Sequence, residues 1–161
     1  MKNRDNRVQV WEEFGIELVP LTEELCEAVY DIAVKSLPEH WSLEGIKDVL
    51  RYDNNFFFVA RQKENGVVAG FAGIMLVADE AELLNIAVKA DFRKAGIGQK
   101  LLEHLLYAAG QQRAVRMLLE VRKSNVAARR LYEKNGFTAI AERKGYYSNP
   151  KEDAVIMEKQ L

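Results

Sequence analysis

Apolar positions along the chain fall into short runs of two kinds, β-branched or aromatic stretches and stretches with helical spacing. Residues 16–19, ended by Pro20, read as a strand. Thr22 then offers a cap for a helix that carries Leu25, Val29, Ile32 and Ala33 on one side, with Glu23 and Glu24 at its positive end. A second helix starts at Ser42, with Leu43, Ile46, Val49 and Leu50 inward. Residues 56–61 and 67–77 read as two antiparallel strands joined at Asn65-Gly66, where both positions tolerate positive φ.

The second half repeats the alternation of strand and helix. Residues 82–88 predict a strand, 89–96 a loop, and Leu101, Leu102, Leu105 and Leu106 the buried stripe of a helix. Residues 116–121 form the next strand. Ser124 caps a helix closed by Asn135-Gly136, and Phe137 packs back on Leu131 or Tyr132. Two last strands, 137–143 and 154–158, flank a tip at 145–150. This order predicts an α/β fold, a mixed, mostly antiparallel sheet of about seven strands flanked by four helices.

Length changes that picture little, because 161 residues suit one domain. The domain is placed at 15–161, with residues 1–14 as an N-terminal extension, a disordered tail or a contact to a partner. Charge is balanced, 23 Lys and Arg against 24 Asp and Glu, which argues against nucleic acid or an anionic membrane as partner. Residues 1–13 are polar and lack the apolar run of a secretory signal, so a cytoplasmic location is expected. Cys26 is the only cysteine, with His40 and His104 the only histidines, and no metal is expected.

Candidate chemistry begins with Arg93-Lys94-Ala95-Gly96-Ile97-Gly98, between a strand and an amphipathic helix. Glycines there let backbone N–H groups approach a ligand, and the helix N-terminus adds positive charge, which suits a pyrophosphate. An ordinary strand-to-helix turn would read the same way. The third glycine of a dinucleotide fingerprint is missing, and so is the Gly-Lys-Ser/Thr of a nucleotide-hydrolysing loop. Glu120 sits inside an apolar strand, where burial would raise its pKa toward that of a useful base, unless it faces water at the strand end. Tyr132 is either a core aromatic or a phenol able to serve as an acid.

These motifs resemble those of the GNAT superfamily of N-acetyltransferases, whose acetyl-coenzyme A loop runs Arg/Gln-x-x-Gly-x-Gly/Ala and is matched by Arg93, Gly96 and Gly98. Residues 85–88, 119–122, 124–125, 131–133 and 135–137 further resemble the bacterial ribosomal-protein-alanine N-acetyltransferase (RimI) family. The resemblance implies acetyl-CoA as cosubstrate, with backbone groups of Ile86, Ala87 and Val88 and the side chain of Asn125 along the pantetheine arm and Arg93, Lys94, Ala95, Gly96, Ile97 and Gly98 around the pyrophosphate. It implies Glu120 as general base, Glu82 as the alternative base, and Tyr132 as general acid. Trp41, Tyr146 and Tyr147 would shape an acceptor groove for a ribosomal protein's N-terminal alanine, although Trp41 suits hydrophobic packing equally well. A monomer or weak homodimer is expected. His40 and Gly145 depart from the family's usual proline and asparagine beside that groove. Two other readings stay open: a lysine side chain, polyamine or aminoglycoside as acceptor, and a module that binds acetyl-CoA without turnover.

Overall fold

The computed structural model describes residues 9–161. Its strands are β1 (Gln9–Trp11), β2 (Ile16–Pro20), β3 (Asn55–Gln62), β4 (Val68–Val77), β5 (Glu80–Val88), β6 (Arg116–Arg122), β7 (Thr138–Tyr147) and β8 (Glu152–Gln160). The α-helices are α1 (Cys26–Ser36), α2 (Leu43–Asp48), α3 (Ile97–Gln111) and α4 (Val126–Lys134). One sheet holds all the strands in the order β1-β2-β3-β4-β5-β6-β8-β7. Every neighbouring pair is antiparallel except β5 and β6, which are parallel.

Among the described residues the sheet therefore has eight strands rather than about seven. The extra strand is β1, inside the stretch that from sequence is only an extension. Gln9 pairs with Leu18 and Trp11 with Ile16, and Trp11 and Phe14 pack on the core. Apolar contact thus holds 9–14 against the domain, while residues 1–8 of the expected extension lie outside the described residues. At the β3–β4 turn only Gly66 takes positive φ (73°). Asn65 instead accepts a 2.9 Å hydrogen bond from the Val67 amide, an Asx turn.

Two cores sandwich the sheet. Ile97, Leu101, Leu102 and Leu105 of α3, with Tyr132 of α4, pack on the face that carries Met117, Leu119 and Val121 of β6. Val29 and Ile32 of α1, with Ile46 of α2, pack on the opposite face against Val59, Phe71 and Ala87. Strand alternation then decides what faces where. Met117, Leu119 and Val121 are buried, so Leu118, Glu120 and Arg122 point to the other face, the one α1 and α2 share. No helix of the described residues is long and apolar enough to cross a membrane.

A cleft between two parallel strands

β5 and β6 pair only at Glu80–Arg116, Ala81–Met117 and Glu82–Leu118. Beyond that point they separate, and a bulge in the β4–β5 register at Gly73/Ile74 marks where β5 bends. Arg116 pins the closed end, reaching Glu80 through Nε at 2.9 Å and Glu158 through Nη1 at 3.1 Å. The open end becomes a cleft of about 1140 Å³ that passes between the two faces of the sheet.

The separated edge of β5 presents backbone to that cleft. The Lys89 amide donates to the Ala69 carbonyl at 2.7 Å, so antiparallel alternation makes Ala87 and Phe71 a bonded pair. The same alternation turns the amides and carbonyls of Ile86 and Val88 away from β4, toward the gap. An extended polar chain can pair there as a missing strand would. Ala87 turns its backbone to β4 and its side chain into the α1 core. Arg93 uses its guanidinium locally, donating to the Val88 carbonyl at 2.9 Å and to Ser36 Oγ at 3.1 Å. It ties the loop to β5 and α1.

The loop itself fits a phosphate-bearing group. Gly96 caps α3 with φ of 87°, a left-handed conformation that keeps the α3 N-terminus clear of side chain. A Cβ at Gly98 would point toward Val88 at 3.7 Å and Leu131 at 3.8 Å, into the gap between β5 and α4. Arg93, Lys94, Gly96, Ile97 and Gly98 all wall the cleft, with the helix start aimed into it, whereas Ala95 is exposed and stands outside that wall. Ile97 is mostly buried in the α3 core.

Across the gap, α4 begins at Asn125 and not at Ser124. Asn125 Oδ1 accepts from the Ala128 amide at 3.2 Å, while Ser124 gives its amide and hydroxyl to Glu152 at 2.7 and 2.9 Å. Asn125 still lines the cleft. The far end of α4 is fixed to α3 by a reciprocal amide pair that sequence reasoning missed: Gln99 donates to Asn135 at 2.7 Å and Asn135 donates back at 2.8 Å. Tyr132 is thereby held, 5 % exposed, with its ring 5.8 Å from that of Phe137. Burial, then the Tyr147 phenol, push its pKa far up, so Tyr132 stays protonated and can donate.

The opposite mouth of the cleft is acidic and aromatic. Glu82 and Glu120 share one face, with Tyr146, Tyr147, Trp41 and Glu39 around them. Glu120 is half-buried, pairs with Arg143 at 3.3 Å, and lies beside Tyr146. Trp41 walls the cleft and also packs with its ring 5.9 Å from that of Phe57. The Tyr147 pKa is pushed up to about 12 by burial first and then by the nearby Glu120 and Glu39 carboxylates.

Arg122 organises this mouth. Its side chain is only 10 % exposed, yet it reaches Glu39 through Nε at 3.0 Å, Glu152 at 3.2 Å, and the carbonyls of Ser148 and Pro150 at 3.0 and 2.9 Å. Its guanidinium also lies 4.6 Å from the centre of the Tyr147 ring. Placement two residues after Glu120 on the same strand is the sequence signal that could have flagged it. Nothing in the sequence marks Glu39 as its partner.

Desolvation acts on Glu82. Although its side chain is open to the mouth, lost hydration of the carboxyl, then repulsion from Glu120, raise its pKa, with Arg143 opposing. A folded value above the unfolded one means the native state holds the extra proton, so stability falls as pH rises through the raised value. Glu82→Gln removes that penalty. Its urea midpoint should exceed wild type near about pH 7 and coincide with it below about pH 4, where both side chains are uncharged. A lower midpoint at neutral pH would contradict this placement of Glu82.

The cleft brings together Gly96, Gly98, Asn125, Tyr132 and Glu120, residues on which the sequence resemblance rests. The model of the acetyltransferase (GNAT) family matches residues 26–137, well over half the chain. The chain belongs to that family. Among its relatives, the [ribosomal protein bS18]-alanine N-acetyltransferase of Salmonella typhimurium is 37% identical over 137 residues, covering 78% of this chain and 92% of the relative. Its Escherichia coli K12 counterpart is 45% identical over 96 residues, 58% of this chain, and that match spans 65% of the relative's length. The crystal structure of the ribosomal-protein-S18-alanine N-acetyltransferase from Escherichia coli superposes with a TM-score of 0.83 at 34% identity, covering 91% of this chain and 94% of that one. This GNAT domain carries the fork within its sheet, with β1 at one edge and β7 at the other.

Proposed function

We propose that this protein transfers the acetyl group of acetyl-CoA to the N-terminal alanine amine of a ribosomal protein in the cytoplasm, by direct attack within a ternary complex. The observation that carries the reading is the meeting of two unlike faces at the β5–β6 fork. The glycine-led helix start, Asn125 and Tyr132 stand on one side, and Glu120, Glu82, Tyr146 and Trp41 on the other. The relatives' names point to the acceptor.

Acetyl-CoA supplies an activated thioester. The loop from Arg93 to Gly98 and the α3 N-terminus would take its pyrophosphate, and the Ile86 backbone and the Val88 amide its pantetheine amides. The acceptor reaches the fork from the acidic face, where an extended peptide lies between Trp41 and the Tyr146-Tyr147 pair. A terminal ammonium must lose a proton before its nitrogen can attack the carbonyl carbon, and Glu120 takes it, directly or through water. As the carbon–nitrogen bond forms and the carbon–sulfur bond breaks, Tyr132 donates a hydrogen bond to the departing sulfur, which leaves as the coenzyme A thiol on taking up the proton that the nitrogen sheds in becoming an amide. Cys26 takes no part, being wholly buried in the α1 core.

Mass spectrometry of a peptide panel incubated with the protein and acetyl-CoA tests the acceptor. Peptides starting with alanine should gain one acetyl group at the free N-terminus, and twins with blocked N-termini should gain none. Modification confined to lysine peptides or polyamines would keep the family and replace the acceptor. No acetylated product from any amine would leave a domain that binds acetyl-CoA without turnover.

A further inference from the structure

The two arginines beside the acceptor mouth are held in opposite ways. Arg122 is largely shielded and tied to two carboxylates and two backbone carbonyls, so it cannot leave without stranding several polar groups. Arg143 sits on β7, an edge strand paired only with β8, and its side chain is 56 % exposed. Water is available to that guanidinium, yet it folds across to Glu120 at 3.3 Å and lies 5.6 Å from the centre of the Tyr146 ring.

If Glu120 receives the acceptor's proton, an incoming terminal amine, largely an ammonium at neutral pH, needs the position that Arg143 holds. Two cations cannot share one carboxylate without repulsion. We propose that Arg143 is an internal stand-in for the acceptor's ammonium, seated on Glu120 in the free protein and displaced into solvent when the amine enters. This rests on the reading of Glu120 as the base at the acceptor mouth. A half-exposed ion pair is weak enough for a substrate to break. Tyr146 remains beside Glu120 at the mouth after the guanidinium leaves. Arg143 is a positioning residue that trades places with substrate, and the exchange weakens apparent acceptor affinity.

Steady-state kinetics on an alanine-starting peptide test this in wild type, Arg143→Gln and Arg143→Lys. Arg143→Gln should lower the peptide KM roughly two- to fivefold, the scale of an exposed ion pair, with kcat and the acetyl-CoA KM little changed. Arg143→Lys should return the KM toward wild type. Millimolar guanidinium chloride should raise the peptide KM of Arg143→Gln and leave wild type nearly unaffected. A peptide KM that rises or stays constant in Arg143→Gln, or an absent guanidinium response, would overturn the proposal. If wild type acetylates no amine, the functional reading fails by itself. Calorimetry of the same peptide then decides the exchange, with tighter binding to Arg143→Gln supporting it and equal or weaker binding overturning it.

Discussion

Replacing Glu120 by glutamine should cut acetylation of an alanine-starting peptide by about 10²- to 10⁴-fold at neutral pH, the range lost when a positioned general base is removed. Glutamine keeps the size of the side chain, so the mouth stays formed. The α3 N-terminus and the β5 edge are untouched, and the acetyl-CoA dissociation constant should stay within about twofold. A loss shared equally between kcat and kcat/KM would match an interaction made mainly in the transition state. Glu82→Gln run in parallel separates the carboxylates. If Glu82→Gln loses turnover and Glu120→Gln keeps it, the roles assigned to the two are reversed.

Gly96→Val should produce the second large effect, on binding. Gly96 holds φ of 87°, where a β-branched residue is a genuine outlier, and a Cβ there would stand 3.4 Å from the Phe14 ring. The variant must either strain the loop or change its path, and both move the amides at the start of α3 away from a pyrophosphate. Calorimetry should show acetyl-CoA affinity reduced by about tenfold or more, equivalent to roughly 1.4 kcal/mol. Far-ultraviolet circular dichroism should stay near wild type, because residues 97–111 keep their buried leucine stripe. Unchanged affinity would take the loop out of the binding account.

The nearness of Phe14 to Gly96 shows where sequence reading stopped. Strong apolar periodicity made α3 and β6 readable, and Asn135-Gly136 marked the end of α4, where Gly136 takes φ of 90°. β1 was missed because it has three residues in a polar stretch, and only its pairing with β2 makes it a strand. The α4 cap moved from Ser124 to Asn125 because Glu152, distant in sequence, claims Ser124. Either residue type can cap, and tertiary contact chose between them.

At the site, the residue types were readable and their surroundings were not. Glu120 stood out as a carboxylate among apolar neighbours, but its pairing with Arg143 depends on β7 lying beside β8, a long-range choice. Desolvation at the mouth raises the Glu82 pKa, a consequence of strand alternation and of the separation of β5 from β6. That separation carries no local signature, since both strands read as continuous. The Arg122–Glu39 link is invisible for the same reason, because it joins β6 to the segment between α1 and α2.

Direct transfer in the fork is tested most sharply by initial-rate kinetics of peptide acetylation, with acetyl-CoA varied at several fixed peptide concentrations. The geometry, with the glycine-led helix start and the acidic mouth on opposite sides of the fork and the only cysteine buried away from the cleft, predicts intersecting double-reciprocal lines and a protein whose intact mass is unchanged by acetyl-CoA alone. Parallel lines together with a protein that gains one acetyl group and passes it to peptide would contradict the account.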